Sequence, residues 1–279
     1  MKTAIIPNLT RKNAYDVTVS LCKKLRELGI TYMLDEQLNG ELSEVDADFL
    51  PFEKMIDECD IIIPAGGDGT ILHAAKFGKP VLGINAGRIA FMAGLEPTEL
   101  DLLTHLKDGS YKTDKRMMLT ATANDSQKEI ACTHCINDVV AARGEQIKMV
   151  EISVECDNRP INDYFTDGII IATPTGSTAY NLSAGGPVVD PEIESLLLTP
   201  VCTHSLFSRT LIFKPDAKLT LKALSEEGMR VSCDGGEPIN IPCGGFITVE
   251  RAPMDAEFIR IKADAFHDIL NNKLAQRRL

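Results

Sequence analysis

The sequence has no tryptophan and only 5% aromatic residues, and it has no hydrophobic run long enough to cross a membrane. Its longest apolar runs, such as 169–171 and 196–198, fall far short of the roughly 20 residues that a membrane-spanning helix needs. Positive charge is also scarce, because 29 Lys and Arg face 40 Asp and Glu, which gives a net charge of −11. Such a chain repels the phosphate backbone of nucleic acids. We therefore expect neither a membrane nor a nucleic acid as a partner.

Signals for disulfide pairing and secretion are missing as well. The eight cysteines are scattered between Cys22 and Cys243, whereas those of a small disulfide-rich domain are closely spaced. The apolar run at 4–6 ends before Asn8 and is too short for the hydrophobic part of a secretory signal peptide. With 44% hydrophobic and 25% charged residues, the composition is typical of a globular protein. We expect reduced thiols and a cytoplasmic location.

Short apolar strands alternate with helical patterns in the first third of the chain. Strands are predicted at 3–7, 31–34, 60–65 and 80–84, and helices at 12–28, 52–59, 71–76 and 97–106. Alternation at this spacing predicts a parallel sheet with helices on both faces. The first domain is therefore expected to belong to the α/β class.

The pattern changes after Gly109, where strand-like segments follow one another with few helical patterns between them. Strands are predicted at 117–123, 129–143, 149–156, 168–173, 210–213, 218–223, 229–233, 245–251 and 258–262, and a closing helix at 265–277. We predict an N-terminal α/β domain at 1–109, joined by the C-terminal helix at 265–279, and a C-terminal β-rich domain at 110–264.

A buried strand runs directly into a glycine-rich turn that opens a helix. The apolar segment 61–65 is followed by the string Gly66-Gly67-Asp68-Gly69-Thr70. Glycines let the backbone approach a ligand, and a helix N-terminus adds partial positive charge, so this turn suits a phosphate. A tight strand–helix turn without a ligand is the alternative interpretation. The presence of Asp68 favours a catalytic site over a turn without a ligand. A carboxylate beside a phosphate is repelled by it, so an acid is expected there only if it accepts a proton or binds a metal ion.

A second polar segment follows the strand predicted at 168–173. It is the string Thr173-Pro174-Thr175-Gly176-Ser177-Thr178-Ala179-Tyr180-Asn181-Leu182-Ser183-Ala184-Gly185-Gly186-Pro187. Its hydroxyl groups, backbone amides and phenol can hydrogen-bond a polar ligand. By composition alone, a segment rich in Ser, Thr and Gly is more often an ordinary loop.

As ordered strings, the two segments resemble a known family. The glycine-rich turn resembles the nucleotide signature shared by NAD kinases, diacylglycerol-type lipid kinases and, in variant form, phosphofructokinases. The string at 173–187 is similar to the signature of the NAD kinases in particular. The resemblance continues in order along nearly the whole chain, at Gly83-Ile84-Asn85, Gly87, Asn137-Asp138, Asp167-Gly168, His204-Ser205-Leu206, Arg209, Asp234-Gly235 and 266–274.

The resemblance implies a fold and a reaction. Such enzymes have an N-terminal Rossmann-like α/β domain and a C-terminal β-rich domain, with the active site in the cleft between them. The implied reaction transfers the γ-phosphoryl group of ATP to the 2′-hydroxyl of the adenosine ribose of NAD and gives NADP. Asp68 then has two candidate roles, accepting the hydroxyl proton or placing a magnesium ion. We favour the first, because a metal bound partly through phosphates needs few protein ligands.

The resemblance also implies the binding residues. Asp68 is the implied catalytic residue and the one candidate metal ligand, with no metal fixed by the protein alone. NAD is expected to contact Asp68, Gly69, Phe91, Asn137, Asp138, Asp167, Thr178, Ala179, Tyr180 and Ser183. The phosphates of ATP are expected at Gly66, Gly67, Gly69, Thr70 and Asn85. A divalent cation such as Mg²⁺ is the expected cofactor, and a homodimer or homotetramer the expected assembly.

Three sites depart from the family pattern, and one of them is Ile89-Ala90-Phe91, where Leu-Gly-Phe is usual. Asp138 stands where a glutamate is usual and is one methylene shorter, and Phe165 stands where an arginine is often found. These departures keep a non-catalytic NAD(P)-binding sensor of the same fold as an alternative function. A lipid kinase is a second alternative, although it leaves the string at 173–187 unexplained. Inorganic polyphosphate also stays open as a donor in place of ATP.

The string Cys132-Thr133-His134-Cys135 has the spacing of zinc and redox sites. No second pair follows at zinc-ribbon distance, and alternation along the predicted strand puts the two thiols on opposite faces. We therefore interpret this string as part of the core packing.

Overall fold

The structure is a computed structural model that describes residues 1–87, 90–125, 128–144, 148–204, 208–262, 266–268 and 270–271. Ser205, Leu206 and most of the helix predicted at 265–277 lie outside these ranges, although 266–268 and 270–271 are helical. The chain divides into two compact units, one formed by Met1–Lys115 with Ala256–Leu279 and the other by Arg116–Asp255.

The first unit is built on a parallel five-stranded sheet. Its strands are β1 (Lys2–Pro7), β2 (Thr31–Asp35), β3 (Asp48–Leu50), β4 (Ile61–Gly66) and β5 (Ile84–Asn85). They lie in the order β3-β2-β1-β4-β5, and each pair of neighbours is parallel. The strand order reverses between β1 and β4. In doubly wound sheets, ligands bind beyond the carboxyl ends of the strands at this point.

The helices of this unit cover the sheet with apolar stripes. They are α1 (Ala14–Glu27), α2 (Phe52–Glu58), α3 (Asp68–Ala75) and α4 (Thr104–Asp108), with 3₁₀ turns at Glu36–Leu38 and Pro97–Leu103. Helix α1 buries Val17, Leu21 and Leu25, which share one face at a spacing of four residues. Gly29 follows α1 with a φ of 69°, a left-handed conformation that ends helices.

The second unit consists of two antiparallel sheets of six strands that share one hydrophobic core. One sheet has the order β10-β9-β14-β17-β6-β7 and the other β13-β12-β11-β8-β15-β16. The strands are β6 (Lys112–Asn124), β7 (Glu129–Cys135), β8 (Asp138–Ala142), β9 (Val150–Cys156), β10 (Arg159–Thr166), β11 (Gly168–Ala172), β12 (Leu196–Val201), β13 (Leu211–Phe213), β14 (Leu219–Ala223), β15 (Met229–Cys233), β16 (Ile239–Ile241) and β17 (Phe246–Arg260). The α/β and β-rich classes predicted for the two parts of the chain are therefore confirmed.

Strand β17 replaces the two strands predicted at 245–251 and 258–262. It begins in the β-rich unit, where it pairs with β14, and its last residues belong to the α/β unit. There the Val81 N–H donates to the Glu257 carbonyl at 2.8 Å, and the Ile259 N–H donates to the Val81 carbonyl at 2.8 Å. The end of β17 thus adds to the α/β unit beside Val81, which also bridges Ile62 of β4.

Other predicted elements differ in extent. The strand predicted at 129–143 is broken into β7 and β8 at Ile136 and Asn137, and the strand predicted at 80–84 is reduced to β5 with two isolated bridges at Val81. Strands β3, β10, β12 and β16 were not predicted, and α3 begins three residues earlier than expected, at Asp68. Among the described residues, no helix is long and apolar enough to cross a membrane.

Candidate active site

The glycine-rich turn joins β4 to α3 at the reversal point of the parallel sheet. All six residues of β4 are buried, and Gly67 is the N-cap of α3 without a side-chain cap bond. The first-turn N–H groups of a helix have no partner within the helix, so they can bind phosphate. A Cβ atom on Gly66 would collide with the side chain of Thr70, which explains the glycine at this position. The turn therefore keeps a backbone surface for a ligand.

The carboxylate of Asp68 is fixed by two backbone hydrogen bonds. One oxygen accepts the Phe91 N–H at 3.0 Å, and the other accepts the Met92 N–H at 2.9 Å. Each carboxylate oxygen keeps a further lone pair, so Asp68 can still accept a proton from a substrate hydroxyl. The structure thus brings Phe91 to Asp68 through its backbone, and the NAD contact that the resemblance implies for Phe91 stays a prediction.

Asn85 lies at the end of β5, next to Gly66 on β4. Its side chain is buried, donates to the Glu96 carboxylate at 2.9 Å and accepts the Gly87 N–H at 2.9 Å. Both ends of the amide are therefore occupied within the protein. Asn85 shapes the loop behind the glycine-rich turn, and its role toward ATP phosphates stays a prediction.

A pocket of ≈ 590 Å³ opens at the carboxyl ends of β1 and β4. Its lining includes Gly69 and Thr70, which were predicted to face phosphates, together with Asn8, Thr10 and His73. The Asn8 amide donates to the Thr70 hydroxyl at 3.2 Å. Asn8 was not predicted as a site residue. A polar residue directly after β1 is the signal that could have found it, because doubly wound sheets bind ligands there.

In the β-rich unit, Asn137 and Asp138 lie where the chain passes from β7 to β8. The Thr173 N–H donates to the Asn137 carbonyl at 2.9 Å, and the Thr173 hydroxyl donates to the Ile136 carbonyl at 2.5 Å. Thr173 also accepts the Gly176 N–H at 3.0 Å. The start of the second polar segment is thereby bound to Ile136 and Asn137, directly before Asp138.

Asp138 is a buried acid with an unusual proton affinity. Its side chain is 5% exposed, and its carboxylate accepts the backbone N–H of Tyr180. Burial and then the nearby carboxylate of Asp234 raise the pKa of Asp138 to about 7, while the Tyr180 bond acts in the opposite direction. Both protonation states of Asp138 are therefore accessible near neutral pH.

The rest of the second polar segment winds into a 3₁₀ turn at Thr175–Thr178 and a short helix α5 (Tyr180–Ser183). Asn181 holds this segment together, because its buried amide donates to Ser177 and Pro187 carbonyls and accepts the Thr199 hydroxyl at 2.6 Å. A Cβ on Gly186 would collide with that amide. Tyr180 and Ser183 are exposed, and Thr178 and Ala179 are half-buried.

Asp167 and Tyr180 line one pocket of ≈ 570 Å³ in the β-rich unit. Asp167 pairs with Arg143 at 3.2 Å, and Arg143 also lines the pocket. Arg143 was not predicted as a site residue, since its partner Asp167 lies 24 positions along the chain and no local pattern marks the pair. Phe165, at the position where the family often has arginine, is 47% exposed.

The two thiols of the Cys132-to-Cys135 string lie on opposite faces of β7. Cys132 is exposed and Cys135 is buried in the core, and all eight cysteines are free. This burial agrees with the packing interpretation. Within the described part of the chain, no group of three or more His, Cys, Asp or Glu residues could hold a metal ion.

Gly176→Ala is expected to destabilise the β-rich unit by about 1–3 kcal/mol, the usual cost of overpacking. The new Cβ would lie 2.8 Å from the Asn137 Cα and closer still to the Asn137 carbonyl. Thermal unfolding measures the effect. Gly40→Ala is the control, because a Cβ there meets nothing within 4 Å. Equal stabilities of the two variants would contradict the close approach.

Comparison with known proteins identifies the family. The model of the ATP-NAD kinase N-terminal domain matches residues 3–111, and that of the ATP-NAD kinase C-terminal domain matches residues 136–261. The NAD kinase of Caldanaerobacter subterraneus is 33% identical over 289 residues, which cover 99% of this chain and 99% of that protein. The NAD kinase of Symbiobacterium thermophilum is 35% identical over 280 residues, which cover 98% of this chain and 99% of that protein.

Two solved structures share the fold. A yeast NADH kinase complexed with NADH has a TM-score of 0.90 at 24% identity, covering 99% of this chain and 87% of that chain. An NAD kinase from Archaeoglobus fulgidus in complex with ATP has a TM-score of 0.73 at 22% identity, covering 100% and 99%. The similarity to these two structures concerns the fold alone. The family models and the sequence relatives show that the chain belongs to the ATP-NAD kinase family.

Proposed function

We propose that this protein is an NAD kinase, which transfers the γ-phosphoryl group of ATP to the 2′-hydroxyl of the adenosine ribose of NAD and gives NADP. The observation that carries the proposal is the Asp68 carboxylate, held by two backbone N–H groups directly at a glycine-rich turn. Phosphoryl transfer depends mainly on positioning and on stabilising charge. Asp68, fixed beside the phosphate-binding backbone of the glycine-rich turn, supplies the base that the reaction needs for the proton of the 2′-hydroxyl.

In this proposal the glycine-rich turn binds the phosphates of ATP. Gly66, Gly67 and Gly69 let the backbone approach the phosphate oxygens, and the helix N-terminus at Asp68 favours their negative charge. Asp68 accepts the proton of the 2′-hydroxyl as that oxygen attacks the γ-phosphorus, while the bond from this phosphorus to the β–γ bridging oxygen breaks and ADP leaves. The fixed carboxylate orientation supports this role, because a base acts only within hydrogen-bond reach of its proton.

The residues of the β-rich unit bind NAD in this proposal. Asn137 and Asp138 hydrogen-bond a ribose, while Asp167, Thr178, Ala179, Tyr180 and Ser183 surround the adenosine part. Support comes from the contacts that connect them, since Asp138 accepts the Tyr180 N–H and Asp167 shares a pocket with Tyr180. An exposed phenol ring beside polar groups is a suitable surface on which a base can stack.

A divalent cation, most readily Mg²⁺, fits the residues present. Asp68 is the one carboxylate placed at the glycine-rich turn by the described contacts, and its oxygens retain lone pairs beyond those used by Phe91 and Met92. Mg²⁺ commonly binds through one or two carboxylates plus substrate phosphates and water. When bound, the ion would neutralise charge on the phosphate oxygens.

We also propose a homo-oligomer in the cytoplasm. Apolar side chains exposed on the β-rich unit support self-association, namely Phe165, Ile193 and Ile212 at 47%, 58% and 59% exposure. Eight free thiols support a reducing compartment. Light scattering of the purified protein measures the oligomer, and a monomer at all concentrations would contradict it.

One assay tests the function against its alternatives. The purified protein is incubated with NAD, ATP and Mg²⁺, and NADP is quantified by an NADP-specific dehydrogenase. NADP formation supports the kinase, whereas NAD binding without turnover indicates a sensor. A parallel reaction with diacylglycerol vesicles tests the lipid kinase, and replacement of ATP by polyphosphate identifies the donor.

Tyr180→Ala is expected to raise KM for NAD more than KM for ATP. Loss of an aromatic contact to a base costs about 1–3 kcal/mol in nucleic-acid sites, which serve as the analogy. Steady-state kinetics with each substrate varied in turn measure the effect. Tyr15→Ala is the control, because Tyr15 is also exposed but lies on α1 of the other unit, bonded to Glu44. Equal changes in both KM values would show the assignment of Tyr180 to be wrong.

A further inference from the structure

One carboxylate in the β-rich unit binds three consecutive backbone N–H groups. Asp234 follows β15, and its oxygens accept the N–H groups of Ile136 at 3.0 Å, Asn137 at 2.8 Å and Asp138 at 3.3 Å. The N–H of Asp234 itself donates to the Asp138 carbonyl at 3.0 Å. These contacts join residues 96 to 98 positions apart in the sequence.

The bonded segment is the break between β7 and β8. These two strands belong to different sheets, so Ile136 and Asn137 lie between two ladders. A backbone N–H group between two sheets needs an acceptor other than the carbonyl of a neighbouring strand. A carboxylate is a stronger hydrogen-bond acceptor than a carbonyl. Since Thr173 binds the carbonyls of the same two residues, the turn is held on its N–H side by Asp234 and on its C=O side by Thr173.

The backbone of Asp234 is itself unusual. Its φ is 51°, and that of the following Gly235 is 69°. The left-handed region is unfavourable for residues with a Cβ, and Asp and Asn are among the few that adopt it. The carboxylate of Asp234 is therefore presented to 136–138 from a left-handed turn that few residue types adopt.

We propose that Asp234 is a positioning residue of the NAD site, which fixes the backbone of Asn137 and Asp138 through its three hydrogen bonds. The inference rests on the proposed function, because it takes the Asn137–Asp138 pair as the part that binds NAD. Asp234 acts through these two residues. Its loss should therefore change NAD binding while ATP binding, assigned to the glycine-rich turn, is retained.

Because Asp234 carries a charge, this role predicts that the affinity for NAD depends on pH. The groups that face the Asp138 carboxyl are Asp234 after β15, the Tyr180 N–H of α5 and the Cys135 thiol of β7. A like charge disfavours ionisation, so Asp234 keeps Asp138 protonated to higher pH. Protonated Asp138 can donate a hydrogen bond, whereas the ionised form only accepts. NAD affinity should consequently change with pH, and the midpoint of that change should depend on Asp234.

Asp234→Asn is the test variant, because asparagine tolerates the same left-handed backbone but carries no charge and one acceptor oxygen fewer. Asp157→Asn is the matched control. Asp157 also has a positive φ, 50°, and its carboxylate accepts the Lys218 N–H at 3.0 Å, in the turn before β10. Calorimetric titrations with NAD and with ATP are made from about pH 5 to about pH 9, around the pKa of Asp138.

We expect Asp234→Asn to weaken NAD binding about tenfold to hundredfold, as for a lost hydrogen bond to a charged group. The pH midpoint of NAD binding should fall by about one unit, because the like charge is gone. ATP affinity should stay within about twofold of wild type, as for an independent site. Asp157→Asn should behave as wild type. A folded Asp234→Asn protein with unchanged NAD affinity or an unchanged midpoint overturns the proposal.

If Asp234→Asn does not fold, Asp234→Glu is the test variant instead, since it keeps the negative charge but lengthens the side chain. This variant should weaken NAD binding and leave the midpoint in place, and unchanged affinity overturns the proposal. A wild type whose NAD affinity does not vary with pH overturns it as well. Calorimetry measures binding and needs no turnover. A wild type that binds NAD but makes no NADP therefore refutes the proposed function, while the same titrations still test the role of Asp234. A wild type that does not bind NAD refutes both.

Discussion

Asp68→Asn is expected to lower kcat for NADP formation by about 10²- to 10⁴-fold, the usual contribution of a positioned base. The amide of asparagine cannot take the hydroxyl proton. One of the two acceptors for the Phe91 and Met92 N–H groups also becomes a donor, so the loop beside the turn loses a bond. Steady-state kinetics measure kcat, and calorimetry with NAD and ATP shows whether both nucleotides still bind.

Asp60→Asn separates the loss of a base from the loss of a carboxylate–amide bond. Asp60 accepts the Lys2 N–H at 2.8 Å just before β4, at the end of that strand opposite the glycine-rich turn. The control should retain the wild-type kcat. If Asp68→Asn keeps more than about a third of the wild-type kcat, the loss is too small for a general base. Placement of the metal would then be the main role of Asp68.

Asp138→Asn is expected to stabilise the folded protein by an amount that grows with pH. Burial first and Asp234 second raise the pKa of Asp138 from 3.8 to about 7. Between pH 3.8 and about pH 7, Asp138 is protonated in the folded protein but ionised in the unfolded chain. The free energy of unfolding of the wild type therefore falls as the pH rises. Asparagine does not ionise and avoids this loss. The difference should grow by about 1.4 kcal/mol per pH unit, to about 4 kcal/mol near pH 7.

Urea unfolding of wild type and Asp138→Asn between about pH 4 and about pH 8 measures this difference. Asp163→Asn changes an exposed acid on β10 and should show no such trend. A stability difference that stays constant with pH would mean that Asp138 is ionised throughout in the folded protein. An acid that lowers stability at neutral pH is explained by function, because selection tolerates such costs at binding sites.

The glycine-rich turn could be predicted from the sequence because its signals are local. A fully buried strand needs a run such as that at 61–65, and glycine permits the close contact between Gly66 and Thr70. The contact of Asp68 with the backbone at Phe91 and Met92 could not be predicted. It joins residues 23 and 24 positions apart through main-chain donors, which carry no sequence signal.

The break between β7 and β8 was missed for a related reason. The pattern at 129–143 has no glycine or proline until after Arg143, so periodicity alone predicts one strand. The bonds that make the break stable come from Thr173 and Asp234, both distant in the sequence. Strand β12 was missed because Pro200 argues against an internal strand, yet Pro200 pairs with Ile169 of β11.

The return of β17 to the α/β unit has a consequence for protein synthesis. Domains usually fold in order from the N-terminus as the chain leaves the ribosome. Here the segment beside Val81 is the end of β17, so the α/β unit receives its last strand only after the β-rich unit has been translated. The β-rich unit, Arg116–Asp255, is continuous and can complete first. A ribosome that stops before Glu257 would therefore release a chain whose α/β unit still lacks the segment that pairs with Val81.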